Sequence, residues 1–279
     1  MFYKSIRKKT LSIFSNGIMI IVSLICLYPV FWMITSSFKT ETEFLMNPLA
    51  LPTSLQLDNF LRAIEVGRMH EFFMNSVFNS VTSVTLIVIL SFVTGYILSR
   101  FEFRGKRLIY AGLMSSLLIP PMALLIPIFS MFSDLGLLDG RFTLLIPYIA
   151  FGLPIPIYLI SSYIKAIPNE LEEAASIDGS GFIRTMFTII MPITKPVIAT
   201  TIVLGFLNTW NEFPFALVLV RSDALRTIPL GLNNFIGVYH RDFTGNVAAL
   251  TIAVLPVLIV YSIFSGKIIR GMASGAVKG

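Results

Sequence analysis

The 279-residue chain is 55% hydrophobic and 13% charged, which leaves too little polar surface to wrap a water-soluble domain. Its net charge of +6 sits in short segments between apolar runs, a mark of membrane orientation rather than of nucleic-acid binding. The one cysteine, Cys26, lies inside the first apolar run, so neither a disulfide framework nor a thiolate metal site is expected.

In chain order, the apolar runs predict six transmembrane helices over 14–38, 72–99, 108–133, 142–164, 196–220 and 243–266. Each reaches the roughly 20 residues that a helix rising about 1.5 Å per residue needs to cross about 30 Å of hydrocarbon. The first run follows Lys4, Arg7, Lys8 and Lys9, is too long for a cleaved signal peptide, and reads as a retained anchor. No boundary, repeat or low-complexity tract suggests a second domain, so one transmembrane domain over 1–279 is expected. Six spans place both termini on one side. The segments 1–9, 100–107, 165–195 and 267–279 hold fourteen Lys and Arg residues and the opposite side seven, which predicts cytoplasmic termini and an outer segment from Lys39 to Glu71.

Prolines recur inside the spans: Pro120, Pro121 and Pro127 in the third, Pro147, Pro154 and Pro156 in the fourth, and Pro256 in the sixth. Each removes a backbone donor that lipid cannot replace, so these helices either pack inside a bundle or line a wet path, or carry harmless kinks. No phosphate-cradling G-x-x-x-x-G-K-[ST] pattern is present, so the chain is not expected to hydrolyse ATP or to act as an enzyme. Glu212 is the single acid within the fifth run. Ion-coupled carriers use paired intramembrane charges, and a solvated acid near the outer headgroups is the plainer reading of Glu212. His70 and His240 fall in outer loops without metal-ligand spacing and are assigned no role.

The loop 165–195 carries the most informative soluble sequence, Pro168-Asn169-Glu170-Leu171-Glu172-Glu173-Ala174-Ala175-Ser176-Ile177-Asp178-Gly179. Asn169 is predicted to cap a short helix, Glu172 to reach back to the cap, and Gly179 to end the helix in a left-handed turn. A helix this short is marginal alone in water, and its Ala174 and Ala175 face suits a partner's groove or its own bundle.

At this loop the sequence resembles the permease subunits of binding-protein-dependent ATP-binding-cassette (ABC) importers. Their signature runs Glu-Ala-Ala, three residues, Gly, nine residues, then Ile-x-Leu-Pro; here it is Glu173, Ala174, Ala175, Gly179, Ile189 and Pro192, with Met191 in place of leucine. The likeness extends to the carbohydrate branch, in particular to the G-type maltose permeases, through Tyr28 to Lys39, Arg100-Phe101-Glu102-Phe103-Arg104-Gly105, Gly136-Leu137-Leu138-Asp139, Asn208-Thr209-Trp210-Asn211-Glu212-Phe213 and Gly275-Ala276-Val277-Lys278-Gly279. Met122, where relatives often have glutamine, and Ser265-Gly266, where they have Gln-Arg, depart from the pattern.

The resemblance implies an all-α integral membrane protein of the MetI-like permease fold in a bacterial cytoplasmic membrane. It would pair with a second, related permease, two cytoplasmic ATPases and an extracytoplasmic sugar-binding protein. ATP and magnesium would belong to the ATPases, with no cofactor in this chain. Glu173, Ala174, Ala175, Asp178 and Gly179 would form the ATPase-coupling helix. Asn208, Trp210, Asn211 and Glu212 are candidates to face the substrate passage, since tryptophan stacks on sugar faces and amides bond hydroxyls. Trp210 as an interfacial anchor and the asparagines as helix-packing groups are the alternatives. In function, the same architecture carrying another small solute, or a stand-alone channel or ion-coupled transporter, are the alternatives to a sugar importer.

Overall fold

The computed structural model describes residues 2–235 and 242–276, with side chains at 12, 14–235 and 242–266; His240 and residues 277–279 lie outside the described residues. Among the described residues every regular element is helical. In lipid a backbone group has no water to bond, and a helix satisfies its ladder internally. Among the described residues, four helical stretches are long and apolar enough to cross a membrane: Phe14–Ser36, Met69–Arg100, Leu145–Lys165 and Phe243–Gly266. Two bent pairs, Lys106–Leu118 with Pro121–Asp134 and Phe182–Ile193 with Lys195–Trp210, raise the number to six if each pair is one span.

The bends differ from the straight spans expected for 108–133 and 196–220, and proline is the reason in both. In the first pair, Ile119 and Pro120 each precede a proline and are driven into extended conformation at ψ 114° and 126°, and the helices turn by 92°. The second pair starts at Phe182, contains a π-helical turn at Met186–Ile190, and bends by 78° at Thr194, before Pro196. Its second helix stops at Trp210, because Pro214 has no N–H to give the Trp210 carbonyl, and a short helix, Pro214–Leu219, follows. The expected span 196–220 is therefore a helix, a break and a helix.

Two compact units are distinguished, residues 1–69 with 232–254 and residues 70–231 with 255–279. In the first, α1 (Phe2–Ser36) shows apolar side chains on all faces, Phe14, Met19, Leu24 and Ile25 among them, as a lipid-facing helix does. It leads into α2 (Glu41–Met46) and α3 (Asp58–Glu65). Thr40 and Glu43 close a capping box on α2. Lys39 is 1% exposed, and its Nζ donates to the carbonyls of Asn47 at 3.3 Å and Pro48 at 2.8 Å. Asn59 Nδ2 donates to the Ser37 and Lys39 carbonyls, both at 2.8 Å. The Arg62 guanidinium meets Asp242 at 3.2 Å.

The second unit is built around α4 (Met69–Arg100), whose Ile87, Phe92 and Tyr96 are fully or almost fully buried. It is followed by α5 (Lys106–Ser115), α6 (Leu125–Asp134), α7 (Leu145–Gly152) and α8 (Pro154–Lys165). Gly152 allows a close helix approach: a Cβ at this position would lie 2.4 Å from Ile87 Cδ1. Then come α9 (Glu170–Ile177), α10 (Phe182–Thr185), the π-turn, α11 (Met191–Ile193), α12 (Lys195–Trp210), α13 (Pro214–Leu219) and α14 (Ile228–Gly231). A core of Phe132, Leu144, Tyr148, Phe215, Leu219 and Leu230 joins α6, α7, α13 and α14. The last helix, α15 (Phe243–Ala276), supplies residues to both units.

Candidate functional site

The motif loop folds as expected at its end and differently at its start. Gly179 takes φ +80°, and the chain closes α9 with Ser180 N–H on the Ala175 carbonyl at 2.8 Å and Gly179 N–H on the Ser176 carbonyl at 3.0 Å. Nothing lies within 4 Å of a Cβ built at Gly179, so glycine is required here by conformation rather than by space. At the other end, the expected capping box does not form: Asn169 is helical, at φ −69° and ψ −25°, and makes no side-chain cap. Glu172 does not turn back either. Its Oε1 accepts from Arg100 Nε at 2.6 Å and its Oε2 from Tyr96 Oη at 2.7 Å, because two strong donors on α4 lie within reach.

The small-residue face is corrected as well. Ala175 is 6% exposed and packs into its own unit, while Ala174 is open to solvent. At about 100° per residue, Glu170, Ala174 and Ile177 share the outward face with Glu173 and Asp178 at its flanks, and Ile177 is 86% exposed. The helix, too short to stand alone, thus leaves one apolar side chain, Ile177, open on its outer face among acidic neighbours.

A second feature is a cavity of about 570 Å³ in the same unit, inside the roughly 300–1,000 Å³ range of small-molecule pockets. Its wall is mostly apolar, with Met122, Tyr148, Phe151 and Leu204, and Asn208, Thr209 and Glu212 add polar groups. Glu212 is not the solvated acid of the plainer reading. It accepts from Phe215 N–H at 2.6 Å, from Ala216 N–H at 3.1 Å and from Tyr148 Oη at 2.8 Å, and so caps α13 after the break.

Of the four passage candidates, Asn208 and Glu212 line this cavity and the other two do not. Trp210 is corrected: it is 2% exposed, stacked on Phe206 with ring centroids 5.2 Å apart and set edge-on to Phe73 at 5.7 Å, so its ring is committed to packing. Asn211 is exposed, but its Nδ2 donates to the Leu207 carbonyl at 2.8 Å and is spent on the end of α12. The residues that sequence reading missed are Tyr96, Arg100 and Tyr148. Tyr96 and Arg100 stand four apart at the end of a predicted span, a visible signal, but their partner Glu172 is 72 residues beyond Arg100.

Helical throughout the regular elements of its described residues, with four to six segments long and apolar enough to cross a membrane and a short helix, α9, ended by the left-handed Gly179, the chain falls in the class of multi-pass membrane proteins. Residues 87–274 match the model of the family described as "Binding-protein-dependent transport system inner membrane component", and the chain belongs to that family. It is 34% identical to a trehalose/maltose transport system permease protein of Thermococcus litoralis, over 93% of this chain and 94% of that one. It is 32% identical to a diacetylchitobiose uptake system permease protein of Streptomyces coelicolor, over 94% and 87%. A solved bacterial ABC transporter that imports the acidic polysaccharide alginate contains a chain of the same fold, with TM-score 0.80 and 24% identity, covering 92% of this chain and 96% of that one. The chain is thus an ABC permease subunit resident in the inner membrane.

Proposed function

We propose that this permease moves a neutral sugar or oligosaccharide, received from an extracytoplasmic binding protein, and that α9 is where it takes power from ATPase subunits. The observation that carries the proposal is the outward face of α9, Glu170, Ala174 and Ile177 with Glu173 and Asp178 beside them, ended by the left-handed Gly179. ATP and magnesium belong to two partner ATPases, and a second, related permease completes the membrane part. When the ATPases close, the seated helix moves as a rigid lever and tilts the spans between two discrete arrangements. Named relatives that carry trehalose, maltose and diacetylchitobiose support a sugar as cargo. The cavity beside Asn208 offers an amide and broad apolar faces rather than a basic cluster, which suits hydroxyls and the apolar side of a sugar ring better than an anion.

The test is affinity purification of the detergent-solubilised permease with its cognate ATPase. The wild type is expected to retain the ATPase, and Ala174→Asp, which puts a charge in the middle of the contact face, to lose it. Retention of the ATPase by both Ala174→Asp and Ile177→Asp contradicts the assignment of the face.

A further inference from the structure

Chain connectivity suggests that a movement of α9 passes into the helices that follow it, α10 to α12. The side chains point elsewhere. Between α9 and α12 lie the left-handed Gly179, the π-helical turn Met186–Ile190, Pro192 and the 78° bend at Thr194, four interruptions of a regular helix. A π-turn and a proline each break the hydrogen-bond ladder that makes a helix stiff. Toward α4, by contrast, α9 has a short and well-buried bridge. Both carboxylate oxygens of Glu172 are taken by α4, through Arg100 Nε at 2.6 Å and Tyr96 Oη at 2.7 Å. Arg100 also donates from Nη2 to the Ile167 carbonyl at 2.9 Å, so one guanidinium holds the approach to α9 as well as its first turn. The Arg100 and Glu172 side chains are 10% and 20% exposed, and Tyr96 is 2% exposed. Phe182 packs against Tyr96 and Phe101, with ring centroids 5.6 and 5.5 Å apart, and closes the other side.

Resting on the assignment of α9 as the ATPase contact, we propose that Tyr96, Arg100 and Glu172 are positioning residues that join α9 to α4 as one rigid body, so that the ATPase stroke enters the bundle through α4. A charge-assisted pair shielded from water, with two acceptor oxygens bound to two donors four residues apart on one helix, fixes orientation as well as distance. From the bridge inward, α4 then meets α8 at Gly95, next to Tyr96, and α7 at Ile87, which faces Gly152: a Cβ at either glycine would press on Ile160 or Ile87. The α10–α12 arm follows by bending at its π-turn and its prolines.

The test uses the assembled complex with its ATPase in vesicles, with the permease carrying Cys26→Ser and pairs of spin labels read by electron–electron distance spectroscopy. One label replaces Ser176, which lies off the outward face of α9; the second replaces either Ile97 on α4 or Lys195 at the start of α12. Between the nucleotide-free and the ATP–vanadate states, the 176–97 distance is expected to stay fixed and the 176–195 distance to change. Adding Tyr96→Phe, which removes one hydroxyl, or Glu172→Gln, which keeps the shape and removes the charge, is expected to make the 176–97 distance change on ATP binding as well. A 176–97 distance that changes in the unmodified bridge, or stays fixed in both variants, overturns the inference and leaves α9 as the ATPase contact. A complex that fails to assemble in both variants while the wild type assembles also overturns it, since the bridge is then needed only for folding. Failure of the wild-type permease to hold the ATPase removes the assignment of α9 and this inference together.

Discussion

At the scale of single residues, the second unit tolerates little change where its helices touch. Gly152 faces Ile87 so closely that Gly152→Val requires Ile87 to move, and overpacking of this kind costs about 1–3 kcal/mol. The thermal midpoint of the purified variant is expected to fall, and Ile87→Ala added to it to restore part of the loss. In the cavity, Asn208→Ala removes one amide from a sugar's reach. The half-saturating concentration for uptake is expected to rise about five- to tenfold, the worth of one hydrogen bond, with Trp210→Phe changing stability instead. Outside the spans, Asp242 is raised by its partial burial, but the N–H of Gly245 and the Arg62 guanidinium outweigh burial and hold its carboxyl below the ordinary 3.8. A carboxyl depressed by folding stabilises above its unfolded value and loses that contribution as pH falls through its folded value. The first unit is therefore expected to lose stability as pH drops below about 3.8, and Asp242→Asn to flatten that dependence in a thermal melt recorded between pH 5 and pH 3.

At the scale of elements, α9 depends on α4. It has eight residues, no side-chain cap and one buried side chain, Ala175. An isolated helix shorter than about 12–15 residues is marginal in water, so a synthetic peptide of residues 165–181 is expected to show coil-like circular dichroism. A strongly helical spectrum contradicts the dependence on α4. The same element shows what was legible in the sequence. Glu173, Ala174, Ala175 and Gly179 were readable because the motif and its left-handed end are local in the chain. The fate of Glu172 was not, since a capping box and a bridge to Arg100 look alike until α4 is folded alongside. The break after Trp210 was within reach, because Pro214 has no N–H with which to continue the helix ladder, but an unbroken apolar run to Val220 argued for one straight span. The plainer reading of Glu212 as a solvated acid failed for the same reason: the acid in the run is the cap that the break requires.

At the scale of the whole molecule, the apolar composition, the runs between charges and the motif loop sufficed to read a multi-pass ABC permease, and the family match over residues 87–274 bears that out. Which helices bend, and which side chains reach across the second unit, depended on contacts between residues far apart in the chain. On the proposed function, this permease moves sugar only when ATPases drive it through α9. The most direct measurement is uptake of labelled maltose, trehalose and diacetylchitobiose into vesicles holding either the complete complex or this chain alone, with ATP on the ATPase side. ATP-dependent uptake of at least one of these sugars is expected from the complete complex when loaded binding protein is outside, and none from the chain alone. Passage of solute through vesicles that hold only this chain, without ATP, contradicts it.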